Sequence, residues 1–222
     1  MNPDRTTAGP MPSIVVLAKS PVPGRVKTRL CPPCTHREAA DIAAAALADT
    51  LETVSDTPAC ARVLALDGAP GAWVPDGFVI VPQLGRGLDA RLANAFAAVT
   101  GSAVLIGMDT PQVSRDRLVE AMSALHAPDV DAVLGLATDG GWWAIGLLHA
   151  DPRVFIGVPM STDHTGADQL ARLRSLGYRT HLLEELQDVD TFADAVEVAR
   201  VIPGSRFATA INTLDRAEIA AG

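Results

Sequence analysis

Two lysines, Lys19 and Lys27, are the only lysines in the 222-residue chain, and both lie in one Pro- and Gly-punctuated run, AKSPVPGRVKTRL. Arg25 and Arg29 are interleaved with them, so four cations fall within eleven residues of a chain whose formal net charge is -8. Such a loop repels itself unless an anion binds it. Phosphate suits it, because it accepts point-charge contacts from Lys and forked ones from Arg. The run follows an apolar segment, Ser13 to Ala18, and this marks Lys19, Arg25, Lys27 and Arg29 as candidate phosphate ligands.

The acidic candidates lie further along. Asp109 follows the apolar run Ala103 to Gly107, and Pro111 turns the chain away just after it. A hard cation takes one or two carboxylates plus phosphate oxygens, so Asp109 is a candidate anchor for Mg2+ or Mn2+. The alternative is a cap for the next helix, although Ser114 lies nearer to it. In QDVDTF, alternation puts Asp188 and Asp190 on one side of an extended segment, where both could face one ion. Asp190 with Thr191 would also make an ordinary helix start.

Weaker candidates complete the set. The turn Asp139-Gly140-Gly141 permits close backbone approach and positive φ. Alternation sends Trp142 and Trp143 to opposite faces, one able to stack on a base or sugar, although core packing of both is the plainer reading. Ser161, Thr162 and His164 form a polar stretch in which His164 could act as a base and either hydroxyl could cap a helix.

The elements that must position these residues alternate. Apolar runs at Ser13–Ala18, Ala61–Leu66, Gly77–Val81, Ala103–Gly107, Asp131–Leu136, Trp142–Leu148 and Tyr178–Leu183 read as strands. Helical segments start at Thr35 (a capping box with Glu38), Leu88, Ser114, Asp168 and Thr191, and Ser205–Ala221 reads as a last surface helix. The short Asp139–Gly141 turn could pair its two flanking strands as a hairpin-like or crossing element. This order predicts an α/β fold, a mainly parallel mixed sheet covered on both faces as three α/β/α layers. Ligands then bind beyond the carboxyl ends of the strands, so the basic loop, Asp109 and Asp139 would share one edge.

Composition narrows the classes. Hydrophobic residues make up 48%, enough for one full core over 13–222, with 1–12 as a flexible leader. The acidic balance speaks against a nucleic-acid binder, no stretch approaches a membrane span, and no signal peptide is visible, so a cytoplasmic protein is expected. Cys31 and Cys34, in Cys-Pro-Pro-Cys, read as incidental loop cysteines rather than a zinc or redox pair. A Walker phosphate loop, a dinucleotide Gly-x-Gly-x-x-Gly and a hydrolase Gly-x-Ser-x-Gly elbow are all absent from the sequence.

In order, AKSPVPGRVKTRL, VLIGMDTP, DGGWWAIGL, MST and DVDTFAD resemble the small bacterial GT-A-type glycosyltransferase-like proteins, a nucleotide-diphospho-sugar transferase superfamily with one branch linked to arsenosugar biosynthesis. The resemblance runs from Ile14 to about Val198. It implies a Rossmann-like GT-A fold and a nucleotide-activated donor whose phosphates lie within the Lys19–Arg29 loop. It also implies a divalent metal on Asp109, with Asp188 or Asp190 as second ligand, and Gln83 near the base or sugar. No role passes to Asp89, because Gly87-Leu88-Asp89 departs from the family's Gly-Asp-Leu-Gly. Thr110 and Pro111 stand where many glycosyltransferases continue an Asp-x-Asp pair, which leaves nucleotidyl transfer open beside glycosyl transfer to a small acceptor. A non-catalytic nucleotide-binding module is the contrasting expectation.

Overall fold

The computed structural model describes residues 11–221. Seven strands form one sheet: β1 (Ser13–Lys19), β2 (Arg62–Asp67), β3 (Val79–Pro82), β4 (Ala103–Gly107), β5 (Ala132–Ala137), β6 (Trp142–Leu147) and β7 (Thr180–Leu186). Their spatial order is β3-β2-β1-β4-β6-β5-β7, and only β6 runs against the others. The expected mainly parallel mixed sheet is therefore present, with β5 and β6 paired as the hairpin that the Asp139–Gly141 turn suggested.

Six helices cover it: α1 (His36–Asp56), α2 (Leu88–Ala97), α3 (Arg115–Leu125), α4 (Thr165–Ser175), α5 (Phe192–Val201) and α6 (Arg206–Ala221). Thr35 and Glu38 close α1 with the capping box read from the sequence, and Ser114 caps α3 by accepting from the Arg117 N–H. On one face of the sheet, Ala40, Ala43, Leu47, Leu51 and Val54 of α1 recur at helical spacing and pack on β1, β2 and β4 beside α3. The other face is sealed by α2 and α4, through residues such as Leu92, Phe96 and Leu173.

Three expectations need correcting. Residue 12 is not loose leader: Pro12 is buried and its carbonyl accepts from the Cys60 N–H. The fourth helix begins at Thr165, ahead of the expected Asp168. The last helix is not a surface element, since Phe207, Ala208 and Ile211 are buried against α5 and the outer face of α1, where Ala39, Ile42 and Ala46 meet them. Burying a Phe and an Ile stabilises by about 1.5–3 kcal/mol each, enough to hold an amphipathic helix on the domain. Buried Asp49 of α1 fixes its start by accepting from the Phe207 N–H at 2.8 Å and pairing with Arg206 at 3.1 Å.

Cys34 joins this same apolar cluster, and no disulfide links it to Cys31. Among the described residues no helix is long and apolar enough to cross a membrane.

Candidate functional site

Parallel strands deliver their carboxyl ends to one edge of the sheet. The basic loop leaves β1 there, Gln83 follows β3, Asp109 follows β4, Asp139 follows β5, and Asp188 and Asp190 follow β7. Antiparallel β6 begins at the same edge with Trp142. The strand order reverses between β1 and β4, so the basic loop and Asp109 flank the topological switch point where such sheets open a crevice. A cleft of about 890 Å³ lies there. Of the residues singled out from the sequence, Lys19, Arg25, Lys27, Arg29, Gln83, Asp109, Asp139, Trp142, Ser161, Thr162, Asp188 and Asp190 all line it. His164 does not; its Nδ1 lies 2.8 Å from the Asp163 carboxylate, at the exposed start of α4.

Within the cleft the four cations divide into two pairs. Lys27, whose side chain is 8% exposed, sits in left-handed conformation at φ 48° and ψ 37°, which turns its ammonium inward. There it pairs with the Asp109 carboxylate and donates to the Val189 carbonyl. The Val189 N–H in turn donates to the Asp109 carbonyl at 2.9 Å, so the loop after β4 is stitched to the loop after β7. Arg29 pairs with Asp190. Lys19 and Arg25 are exposed and, among the described residues, hold no ion pair, so their charge faces the cleft uncommitted.

The acids divide as well. Carboxylate oxygens of Asp139, Asp188 and Asp190 lie within 4.8 Å of one another. Alternation thus keeps Asp188 and Asp190 on one side, and the β5–β7 pairing brings Asp139 to them. Asp139 is aimed by its own turn, accepting from the Gly141 N–H at 2.7 Å. Burial, then the charges of Asp139 and Asp190, push the Asp188 carboxyl up to about 7. Thr191 and Asp194 form the capping box of α5, which leaves Asp190 outside the capping role that competed with its site role. Three hard oxygen donors with surplus negative charge, one already matched by a guanidinium, fit Mg2+ or Mn2+. Asp109, the expected metal anchor, is not among the three: its carboxylate is taken by Lys27.

Gln83 is half-buried, and its amide N–H groups donate to the Ala18 carbonyl at 2.8 Å and the Ala65 carbonyl at 3.0 Å. Its donors are therefore spent on locking the ends of β1 and β2. The tryptophans part as alternation requires. Trp143 is buried on Gly135, where a Cβ would come within 2.4 Å of its ring, and donates to the Glu184 carbonyl at 3.1 Å. Trp142 is half-buried against the core on the opposite face, so the plainer core reading holds for both, and both also border the cleft.

The Gly140-Gly141 turn is a contact surface in its own right. A Cβ on Gly140 would lie 1.8 Å from the Asp163 carbonyl oxygen, and the Gly166 N–H donates to the Gly140 carbonyl at 2.8 Å. The turn thereby holds the 160–166 segment over the cleft. Ser161 within it adopts φ 61°, and Thr162 bonds Thr165 rather than capping α4, whose N-cap position falls to His164. Sequence reasoning missed Arg91, which lines the cleft and pairs at 3.0 Å with Asp67 at the carboxyl end of β2. Asp67 was open to the same strand-end rule that found Asp109; Arg91, on the polar face of α2, carried no signal.

The fold has counterparts among known proteins. The profile of a bacterial family described as "Uncharacterized protein conserved in bacteria (DUF2064)" matches residues 50–162. No curated protein matches the chain. Among solved structures, a proposed nucleotide-diphospho-sugar transferase from Desulfovibrio desulfuricans G20 superposes with a TM-score of 0.82 at 23% identity, covering 92% of this chain and 95% of that one. The mannosyltransferase PcManGT from Pyrobaculum calidifontis, in complex with GDP-Man and Mn2+, superposes with a TM-score of 0.54 at 16% identity over 95% of this chain and 66% of that one. CMP:2-keto-3-deoxy-manno-octonic acid synthetase, complexed with CTP, gives 0.53 at 12% identity over 86% and 98%. The shared architecture is the Rossmann-like α/β fold of GT-A-type and nucleotidyl transferases.

Proposed function

The chain belongs to the DUF2064 family, and we propose that it is a metal-dependent transferase acting on a nucleotide-activated donor, with a nucleotide sugar as donor and a small molecule as acceptor. One observation carries this reading: three convergent carboxylates and two uncommitted cations line the same cleft at the switch point of the sheet. A diphosphate is the ligand class that needs both, since its oxygens bridge a divalent ion on one side and Lys or Arg on the other.

In this reading Asp139, Asp188 and Asp190 would hold Mg2+ or Mn2+. When bound, the ion supplies positive charge where the departing diphosphate becomes more negative. Lys19 and Arg25 bind the same phosphates and oppose the charge that builds on them. Lys27 keeps Asp109 and the 188–190 segment in register, a positioning role rather than the phosphate contact expected from its place in the loop. Trp142 offers a flat face to a base or sugar, and the 160–166 segment bounds the side where the acceptor would enter.

Nucleotidyl transfer is the second reading, and Asp109-Thr110-Pro111 favours it, because the second carboxylate of an Asp-x-Asp pair is absent. A thermal-shift panel separates the two: nucleotide sugars against nucleoside triphosphates, each with and without Mg2+ or Mn2+. A ligand that binds the native state raises the melting temperature by mass action. Metal-dependent stabilisation by a nucleotide sugar is expected, selective stabilisation by triphosphates would reverse the order of the two readings, and stabilisation that ignores metal would point to a non-catalytic binding module.

A further inference from the structure

The cation seated on the three-carboxylate group belongs to the chain itself. Arg29 of the basic loop pairs with Asp190, one of the three. A divalent ion bound there needs the same carboxylate, and a guanidinium beside it adds a like charge at close range. Arg29 and the ion therefore compete. Building on the metal-and-donor reading above, we infer that Arg29 gates the metal site: without donor it holds Asp190 against the ion, and donor phosphate draws it away.

Three features favour exchange over a fixed pair. Both side chains face water, Arg29 being 72% exposed and Asp190 39%, so the contact is one of weak, replaceable kind. Phosphate offers the guanidinium the same forked geometry as a carboxylate with more negative charge. The backbone beneath is anchored, because Arg29 lies in a short 3-10 turn, Thr28–Leu30, whose Leu30 is fully buried, so the side chain alone swings. Lys27 makes the contrast: buried and held by both Asp109 and Val189, it cannot change partner cheaply. Arg29 thus couples two ligands, and the coupling is reciprocal, donor strengthening metal binding by the factor with which metal strengthens donor binding.

The test is titration of the full chain with Mn2+ alone, reading unbound Mn2+ by electron paramagnetic resonance, for the wild type, Arg29→Gln and Arg37→Gln. Arg37 pairs with Asp41 on α1, outside the cleft, and controls for the loss of one positive charge. Gating predicts that Arg29→Gln binds Mn2+ about two- to fivefold more tightly, the span that an exposed ion pair is worth, and that Arg37→Gln matches the wild type. Repeating the titration with saturating UDP should erase the difference between Arg29→Gln and wild type. Equal or weaker Mn2+ binding by Arg29→Gln overturns the gate while leaving the metal site standing, and weaker binding would make Arg29 a fixed support for Asp190. If wild type binds Mn2+ no better than Asp188→Asn does, the metal site and the gate fall together.

Discussion

The Lys27 ammonium meets the Asp109 carboxylate and the Val189 carbonyl at once, tying the segment after β1 to those after β4 and β7. Lys27→Met removes both contacts. Asp109 is half-exposed, so water can take over its charge, and the loss stays near that of a charged hydrogen bond, about 1–3 kcal/mol. Urea denaturation should show it as a lower midpoint with unchanged slope. An unmoved midpoint would mean that the stitch contributes nothing.

Gly140 and Gly177 both have positive φ, 88° and 83°, yet only Gly140 faces an obstacle. Gly177→Ala meets open space and should lose only the left-handed strain, about 1–2 kcal/mol. Gly140→Ala adds a collision with the Asp163 carbonyl and must displace the 160–166 segment. We expect a larger fall in melting temperature for Gly140→Ala, with accelerated proteolysis within 160–166. Equal effects of the two would argue against that segment resting on the turn.

Asp49 accepts from the first turn of α6 and pairs with Arg206. Asp49→Ala should lower stability by about 1–2 kcal/mol, the loss typical of a helix cap, and leave donor binding intact because α6 lies outside the cleft. Denaturation and the thermal-shift response to donor, measured together, separate the two effects.

Asp151 and Tyr178 predict a pH profile. Arg153, then the Tyr178 hydroxyl, hold the Asp151 carboxyl at about 2, while burial and the bond to Asp151 push Tyr178 to about 12. The Asp151 contribution to stability is present above the ordinary carboxylate range and is lost as pH falls from about 4 towards 2. The Tyr178 contribution is present below about 10 and is lost as pH rises from there towards 12. Asp151→Asn should flatten the acid limb of stability against pH, and Tyr178→Phe the alkaline limb. Limbs as steep as those of the wild type would assign the titration to other groups.

Much of this is legible in the sequence. Apolar runs and caps are local signals, so β1, β4, the α1 capping box and the Ser114 cap came through. The carboxyl-edge rule then located the cleft. The burial of α6 was not legible, because the stripe Phe207, Ile211 and Leu214 does not say whether a distant element will cover it, and α1 and α5 do so only in the folded chain. Partner choice was hidden for the same reason. Nothing local to Asp109 says that Lys27 will claim it, or that Asp139 will complete a trio with Asp188 and Asp190.

Residue order alone specified which chemical groups would stand beyond the strand ends, since alternation and strand polarity follow from the backbone itself. Which acid meets which base was settled by the folded sheet. Placing β4 beside β1, and β7 against β5 across the shift at Gly135–Ala137, sets the distances between the loops. Charge pairing decays over a few ångströms in water, so those placements, and not the composition of any one motif, assign Lys27 to Asp109 and three carboxylates to one another.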